Sequence, residues 1–353
     1  MQADRSTELQ AAVRAAIADK TPLRIIGGNS KRFYGRASTG TPLSTVEHRG
    51  IIHYEPSELI LTARAGTPLA EIESALARHN QMLPFEPPHF GPTATLGGTI
   101  ACGISGPRRP YTGAVRDFVL GVKLINGRGE LMKFGGEVMK NVAGFDVQRL
   151  MAGALGTLGL LLEISLKVLP KPQHELTLSF DCTAKQALAR IMEWNSQPMP
   201  ISGACHDGTR LYVRLSSSTS GVTACQRKIG GDTLPDGPQF WHQLREHQLD
   251  FFKSDGLLWR LSVPPAAPLL NLPGQSYLDW GGALRWLKNP LPADVIRASA
   301  VKLGGHATLF RGGERTGSVF HPLPPALLAL HKRLKSAFDP HGIFNPGQLY
   351  PEF

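Results

Sequence analysis

Two glycine pairs, Gly27-Gly28 and Gly97-Gly98, constrain this chain more than any other feature. The first follows LRII at 23–26, which reads as a short buried strand, and runs straight into Asn29, Ser30 and Lys31. A strand ending in two residues without Cβ exposes successive backbone amides. Those amides can converge on an anionic group, with Ser30 adding a hydroxyl and Lys31 a cation. A plain strand-to-loop turn fits the same residues, and GGxS alone does not choose between the two. The second pair lies in GPTATLGGTIACGISGP at 91–107, with threonines at 93, 95 and 99 and small residues where a flat ring or a diphosphate can approach the backbone. Two such loops together suit a long dinucleotide.

The commonest nucleotide folds are excluded. No GxGxxG separates a strand from a helix, GALGTLG at 153–159 has GxxGxxG spacing after a helical segment, and GxxxxGK[ST] is absent. The 353 residues leave room for about two domains, and 38 glycines with 28 prolines imply many tight turns. A surplus of 38 Lys and Arg over 28 Asp and Glu could serve nucleic acid, an anionic cofactor, an acidic partner or a membrane surface. Basic residues neither run five together nor interleave with aromatics, so a nucleic-acid role is set aside. The four cysteines, Cys102, Cys182, Cys205 and Cys225, stand singly without zinc or iron–sulfur spacing, which predicts no metal site and reduced thiols in a cytosolic protein. The N-terminus lacks the apolar core of a signal peptide, and the longest apolar run is broken by Glu163 and Lys167, so no transmembrane segment is expected.

Along the chain, Leu9, Val13, Ala16 and Ile17 are spaced for a helix over 8–18. ELILTARAG at 58–66 predicts a strand, followed by Thr67 as a helix cap, Pro68 at the first helical position and the helix LAEIESALARHN. Residues 91–117 are nearly all small and predict little regular structure, a length of loop that usually carries function. FVLGVKLI, an Asn126-Gly127 turn and ELMKF predict a hairpin, and 160–169 places Leu160, Leu162, Ile164, Leu166 and Val168 on one face of a strand. PKPQ at 170–173 marks a boundary. Beyond it LTLSF, KQALARIMEWN and LYVRL suggest an α+β domain ending near 335, and 336–353 read as a tail laid back across the first domain.

Three stretches in order, IIGGNSKR, then GPTATLGGTIACGISGPRRPYTGAVRDFVLGVKLINGRGE, then KNVAGFDVQRLMAGALGTLGLLLEISLKVLP, resemble the FAD-binding domain of the vanillyl-alcohol oxidase (PCMH) type of flavoprotein, which includes D-lactate and glycolate dehydrogenases. LDWGGALRWL, GHATLFRGGERTGSVFHPL and FDPHGIFNPGQLY extend the resemblance to the flavin-binding E subunits of bacterial glycolate oxidase complexes. The fold implied is α+β: a two-subdomain FAD-binding domain over 1–170, split near 54–58, then an α+β cap domain over 171–335 and the returning tail 336–353. The resemblance implies FAD contacts at Gly27, Gly28, Asn29, Ser30 and Lys31, at Thr95, Leu96, Gly97, Gly98, Ala101 and Gly103, at Gly159 and Leu160 near the adenine, and at Asn345, with His341 beside it, in the tail. Many relatives carry a flavin-linking histidine where this chain has Asn29, so FAD is expected without a covalent bond at that position.

Oxidising a 2-hydroxy acid on a flavin needs a cation for the carboxylate and a base near the hydroxyl. Candidate clamps are Arg108, Arg109 beside Tyr111, Arg285 and Arg311, and candidate bases are His306 and His321, which are read as lying in glycine- or proline-flanked turns. Each also reads as a surface or packing residue. The GDGNxH-like motif of related hydroxy-acid dehydrogenases has only GGHATLF as a loose counterpart, so a division of labour is implied: a second FAD subunit of the D type oxidising substrate, and this chain passing electrons to an iron–sulfur subunit. Peripheral association with the inner membrane would come through that complex. A self-sufficient FAD-linked D-2-hydroxy-acid dehydrogenase and a non-catalytic flavin-binding subunit remain the alternatives.

Overall fold

The computed structural model describes residues 3–136, 146–253 and 255–353; the stretch KNVAGF at 140–145 of the third motif lies outside them. The helix Ser6–Ala18 buries Leu9, Val13 and Ala16 against Leu23, Leu160, Leu162 and Phe344. The strand Leu23–Ile26 pairs in parallel with Thr41–Ser44. Its other edge meets the C-terminal segment, where Leu23 N donates to Ile343 O at 2.7 Å and Asn345 N to Leu23 O at 2.9 Å.

A five-stranded antiparallel sheet follows, in the spatial order 51–55, 60–64, 160–167, 119–125, 131–135. In its central strand Leu160–Lys167 a β-bulge, where Glu163 pairs with Lys123 but Leu161 with Leu124, divides the five apolar residues expected on one side: Leu160 and Leu162 pack under the first helix, Ile164, Leu166 and Val168 in the opposite cluster. At the helix Leu69–Ala77, Pro68 takes the cap position. Thr67 does not cap it, because its hydroxyl accepts from Gly50 N at 2.9 Å and donates to Gly50 O at 3.2 Å. The 91–117 segment is more regular than its composition suggests, with short helices Leu96–Cys102, Arg109–Thr112 and Val115–Phe118. Thr95 starts the first by accepting from Gly98 N at 3.3 Å, and Gly103, at φ 64°, ends it in left-handed backbone.

The second large sheet is eight-stranded and antiparallel, in the order 232–233, 174–181, 210–217, 201–206, 275–279, 284–288, 258–262, 306–311. The sequence reading marks strands within 174–181 and 210–217, but not those at 258–262, 275–279 and 284–288. The final helix, Pro325–Phe338, returns the chain to the first sheet. There Lys335 Nζ, 5% exposed, donates to Asp339 Oδ2 and Thr157 O at 2.7 Å and to Phe344 O at 2.9 Å.

Candidate active site

The two glycine turns, remote in sequence, are in direct contact. A Cβ on Gly27 would stand 2.5 Å from Thr95 Oγ1, and one on Gly28 would stand 1.4 Å from Thr93 O, so only glycine lets the second loop seat on the first. Thr93 Oγ1 donates to Gly28 O at 2.5 Å. Between them runs a groove lined by Ile25 to Arg32, Thr95, Gly98, Ala101, Cys102, Leu155, Gly156, Asn345 and Gln348. Asn29 adopts left-handed backbone at φ 59°, which asparagine tolerates, and turns the chain around the groove's end.

Lys31 is buried at 8% exposure, and the acceptor its ammonium finds is His89 O at 3.2 Å. Burial pushes its pKa down, while the Glu246 carboxylate nearby favours the charge. Cys102 stands on the same wall with its thiol pushed up to about 11 by burial, so it is a neutral wall group at ordinary pH.

Beyond Cys102 the chain reaches a second polar centre. Gly106 O accepts from Trp280 Nε1 at 2.9 Å, fixing the indole, and two guanidiniums lie against that ring: Arg109 with Cζ 4.3 Å from the centroid and Arg260 with Cζ at 5.0 Å. Among the described residues neither guanidinium has a carboxylate within 4 Å or a hydrogen-bond acceptor. Both lose some of their basicity to burial, and Arg109 also to repulsion from Arg260. Strand register brings His306 to the same face, since Arg260 stands opposite Thr308 and Ser262 opposite His306. His306 opens its strand as an exposed residue, yet partial desolvation of the ring and the charges of Arg260, His321 and Arg109 lower its pKa, so the ring is neutral at neutral pH. Tyr34 connects groove and seat, being close enough to feel both Arg260 and Cys102.

Comparison with known proteins settles the class. The family model for an FAD binding domain matches residues 1–135, and that for FAD linked oxidases, C-terminal domain, matches 319–349. The glycolate oxidase subunit GlcE of Escherichia coli (strain K12) is 51% identical over 351 residues, 99% of either chain. The chain belongs to the FAD-linked oxidase family. Within that family, the glycolate oxidase subunit GlcD of Bacillus subtilis is 31% identical over 36% of this chain and 27% of its own. A D-2-hydroxyglutarate dehydrogenase of Stutzerimonas stutzeri is 23% identical over 97% of this chain and 89% of its own. A solved alkyldihydroxyacetonephosphate synthase shares the fold, with a TM-score of 0.67 over 96% of this chain and 74% of that one at 16% identity.

An FAD-linked oxidase must seat a dinucleotide, and the groove fits one: glycine backbone approachable without side chains, a buried ammonium with donors to spare, and apolar walls at Ile25 and Leu155. Of the cofactor residues expected from sequence, Gly27, Gly28, Asn29, Ser30, Lys31, Thr95, Gly98, Ala101 and Asn345 line it. Asn345 does so as a brace, accepting from Ile25 N at 2.7 Å and donating to Leu155 O at 2.6 Å. Leu96, Gly97, Gly103, Gly159 and Leu160 do not line it. Leu96 and Leu160 are core residues, and added Cβ atoms would press Gly97 on Ala65, Gly103 on Gly153 and Gly159 on Ile125. Exposed His341 lies outside the groove too.

The clamp candidates separate in the same way. Arg285 stands opposite Leu261 and therefore on the face away from Arg260; at 1% exposure its guanidinium donates to Gly282 O, Pro268 O and Ala267 O, which removes it as a clamp. Arg108 is committed to Glu86 and Glu175. Arg311 stacks over Phe33, 4.7 Å from its centroid, and Phe90, at 5.7 Å. Tyr111 buries its hydroxyl without a partner among the described residues, burial and Asp279 raising its pKa. His306 opens the strand His306–Arg311 and does not sit in a turn, and His321 Nδ1 accepts from Ala307 N at 3.4 Å. Sequence reasoning missed Arg260 altogether, since LWRLS, the strand Leu258–Ser262, carries no motif that singles it out.

Among the described residues no group of three or more His, Cys, Asp or Glu is placed to hold a metal, all four cysteines are free, and no helix is long and apolar enough to cross a membrane.

Proposed function

We propose that this chain is the FAD subunit of a complex that oxidises glycolate or a close 2-hydroxy acid, and that Arg109 and Arg260 hold the substrate carboxylate against Trp280. The observation that carries the reading is that pair of half-buried guanidiniums, without a carboxylate within 4 Å among the described residues, stacked on the Trp280 indole that Gly106 O fixes four residues beyond groove-lining Cys102. Desolvated cations without counter-charge are costly unless a ligand anion supplies it. Bound FAD supplies the two-electron acceptor. This chain's residues do the rest: the guanidiniums orient the substrate, neutral His306 accepts the hydroxyl proton on a ring nitrogen, and Tyr34, Phe33, Phe90 and Phe310 wall the space from water.

With Asn29 where a linking histidine would stand, FAD is held without a covalent bond there. Residues 1–170 carry it, 171–335 act as cap, and 336–353 close the groove through Asn345. The partners are a second FAD subunit of the D type and an iron–sulfur subunit at the cytoplasmic side, with membrane association through them; relatives named as glycolate oxidase subunits support this assembly. The test is anaerobic mixing of the yellow holoprotein with glycolate, alone and in the assembled complex. Bleaching near 450 nm that is lost in Arg260→Met supports the reading; a flavin in this chain that stays oxidised in both settings overturns it. Filtration after denaturation should pass the flavin, and retained yellow colour would refute non-covalent attachment.

A further inference from the structure

The motif LDWGG places the floor of the anion seat on backbone that resists its own conformation. Trp280, Gly281 and Gly282 all have positive φ, at 53°, 63° and 93°. For a bulky non-glycine residue that region is costly, and such strain persists only where surroundings impose it. Two hydrogen bonds impose it here. Trp280 N donates to Asp279 Oδ1 at 2.7 Å, and Trp280 Nε1 donates to Gly106 O at 2.9 Å. Asp279 is only 4% exposed, and among the described residues no Lys, Arg or His nitrogen comes within 4 Å of its carboxylate.

Resting on the seat described above, we propose that Asp279 is its positioning residue: the buried carboxylate holds Trp280 left-handed, so that the indole is the floor for Arg109 and Arg260, and its charge state sets how tightly that pair holds a carboxylate. The groups facing Asp279 come from several elements. Glu86, Arg214 and Arg260 act on its charge, and Tyr111, Cys205 and Tyr277 feel it in turn. Burial chiefly, with Glu86, pushes its pKa to about 7 despite the Trp280 amide and the two arginines. Below that value Asp279 is neutral and the charge of Arg260 is free for the ligand. Above it the buried anion, without touching Arg260, offsets part of its charge and repels the substrate carboxylate, so affinity falls as pH rises through about 7.

The test is binding of oxalate to the FAD-loaded full chain from pH 5.5 to 8.5, followed by flavin absorbance and tryptophan fluorescence. Wild type should weaken about five- to tenfold across an inflection near neutrality. Asp279→Asn, which keeps the acceptor for Trp280 N and removes the titration, should bind with a flat profile at the tight, low-pH level. Asp279→Leu, which removes the acceptor as well, should lose most affinity and alter the Trp280 emission at every pH. An Asp279→Asn profile that retains the inflection, or an Asp279→Leu protein that binds like wild type, overturns the proposal while leaving the seat intact. Wild type that ignores oxalate at every pH, as Arg260→Met is expected to do, overturns the seat and this proposal together.

Discussion

Arg108 and Arg109 are consecutive in the chain and have opposite surroundings. Arg108 Nε donates to Glu86 Oε1 at 3.1 Å and its Nη2 to Glu175, while Arg214 grips the same Glu86 through both its oxygens at 2.9 Å. This lattice joins the loop carrying Glu86 to the second sheet. Arg109 lies over Trp280 with, among the described residues, no carboxylate within 4 Å, beside a second guanidinium in the same position. The lysines repeat the contrast: Lys335 has three acceptors, whereas Lys31 has His89 O. A buried charge with all its partners is architecture. One left short of them marks where a ligand completes the set.

Four substitutions probe that contrast. Glu86→Gln removes the anion that both buried guanidiniums bind directly, leaving them only Glu175, and should cost about 3–5 kcal/mol in urea denaturation. Burial alone would raise the Glu86 carboxyl, but Arg214 and Arg108 outweigh it and hold its pKa below the usual carboxylate range. Its contribution is therefore full above the unfolded glutamate value and lost as pH falls through the lowered folded one, and Glu86→Gln should remove that part of the acid sensitivity. Lys335→Met, which strands buried Asp339, should cost about 3 kcal/mol by the same measurement. Arg260→Met should reduce kcat/KM for the 2-hydroxy acid about 100-fold, roughly 2.7 kcal/mol of transition-state stabilisation, with the denaturation midpoint unchanged or raised. Lys31→Met should weaken FAD about tenfold by fluorescence titration while leaving the apoprotein as stable as before. Equal stability losses for Lys31→Met and Lys335→Met would erase the distinction.

Local pattern made much of the fold legible: the 3.6-residue spacing of Leu9, Val13 and Ala16, the hairpin around Asn126, and the absence of a Rossmann fingerprint all precede any coordinates. The groove was legible in part, because glycine pairs advertise close backbone approach. Leu96 and Gly97 show the limit of that signal, since glycine also answers helix-on-strand packing, here against Ala65. The seat was largely hidden. Arg260 and Arg285 look equivalent in sequence, and only the antiparallel register, Arg260 opposite Trp286 and Arg285 opposite Leu261, sends one to the indole and the other to backbone carbonyls. Whether Arg108 or Arg109 is paired depends on Glu175 and Trp280, which are remote in sequence and silent about their neighbours until the second sheet forms.

The most direct measurement sets Arg108→Met beside Arg109→Met, recording for each FAD-loaded protein the urea midpoint and the oxalate affinity of the folded fraction. The expected result is a crossed pattern: Arg108→Met loses several kcal/mol of stability and binds oxalate nearly as wild type, and Arg109→Met keeps its midpoint and loses about tenfold or more in affinity. An Arg109→Met protein that unfolds as early as Arg108→Met, or that binds oxalate unchanged, would contradict the assignment of the unpaired guanidiniums to substrate.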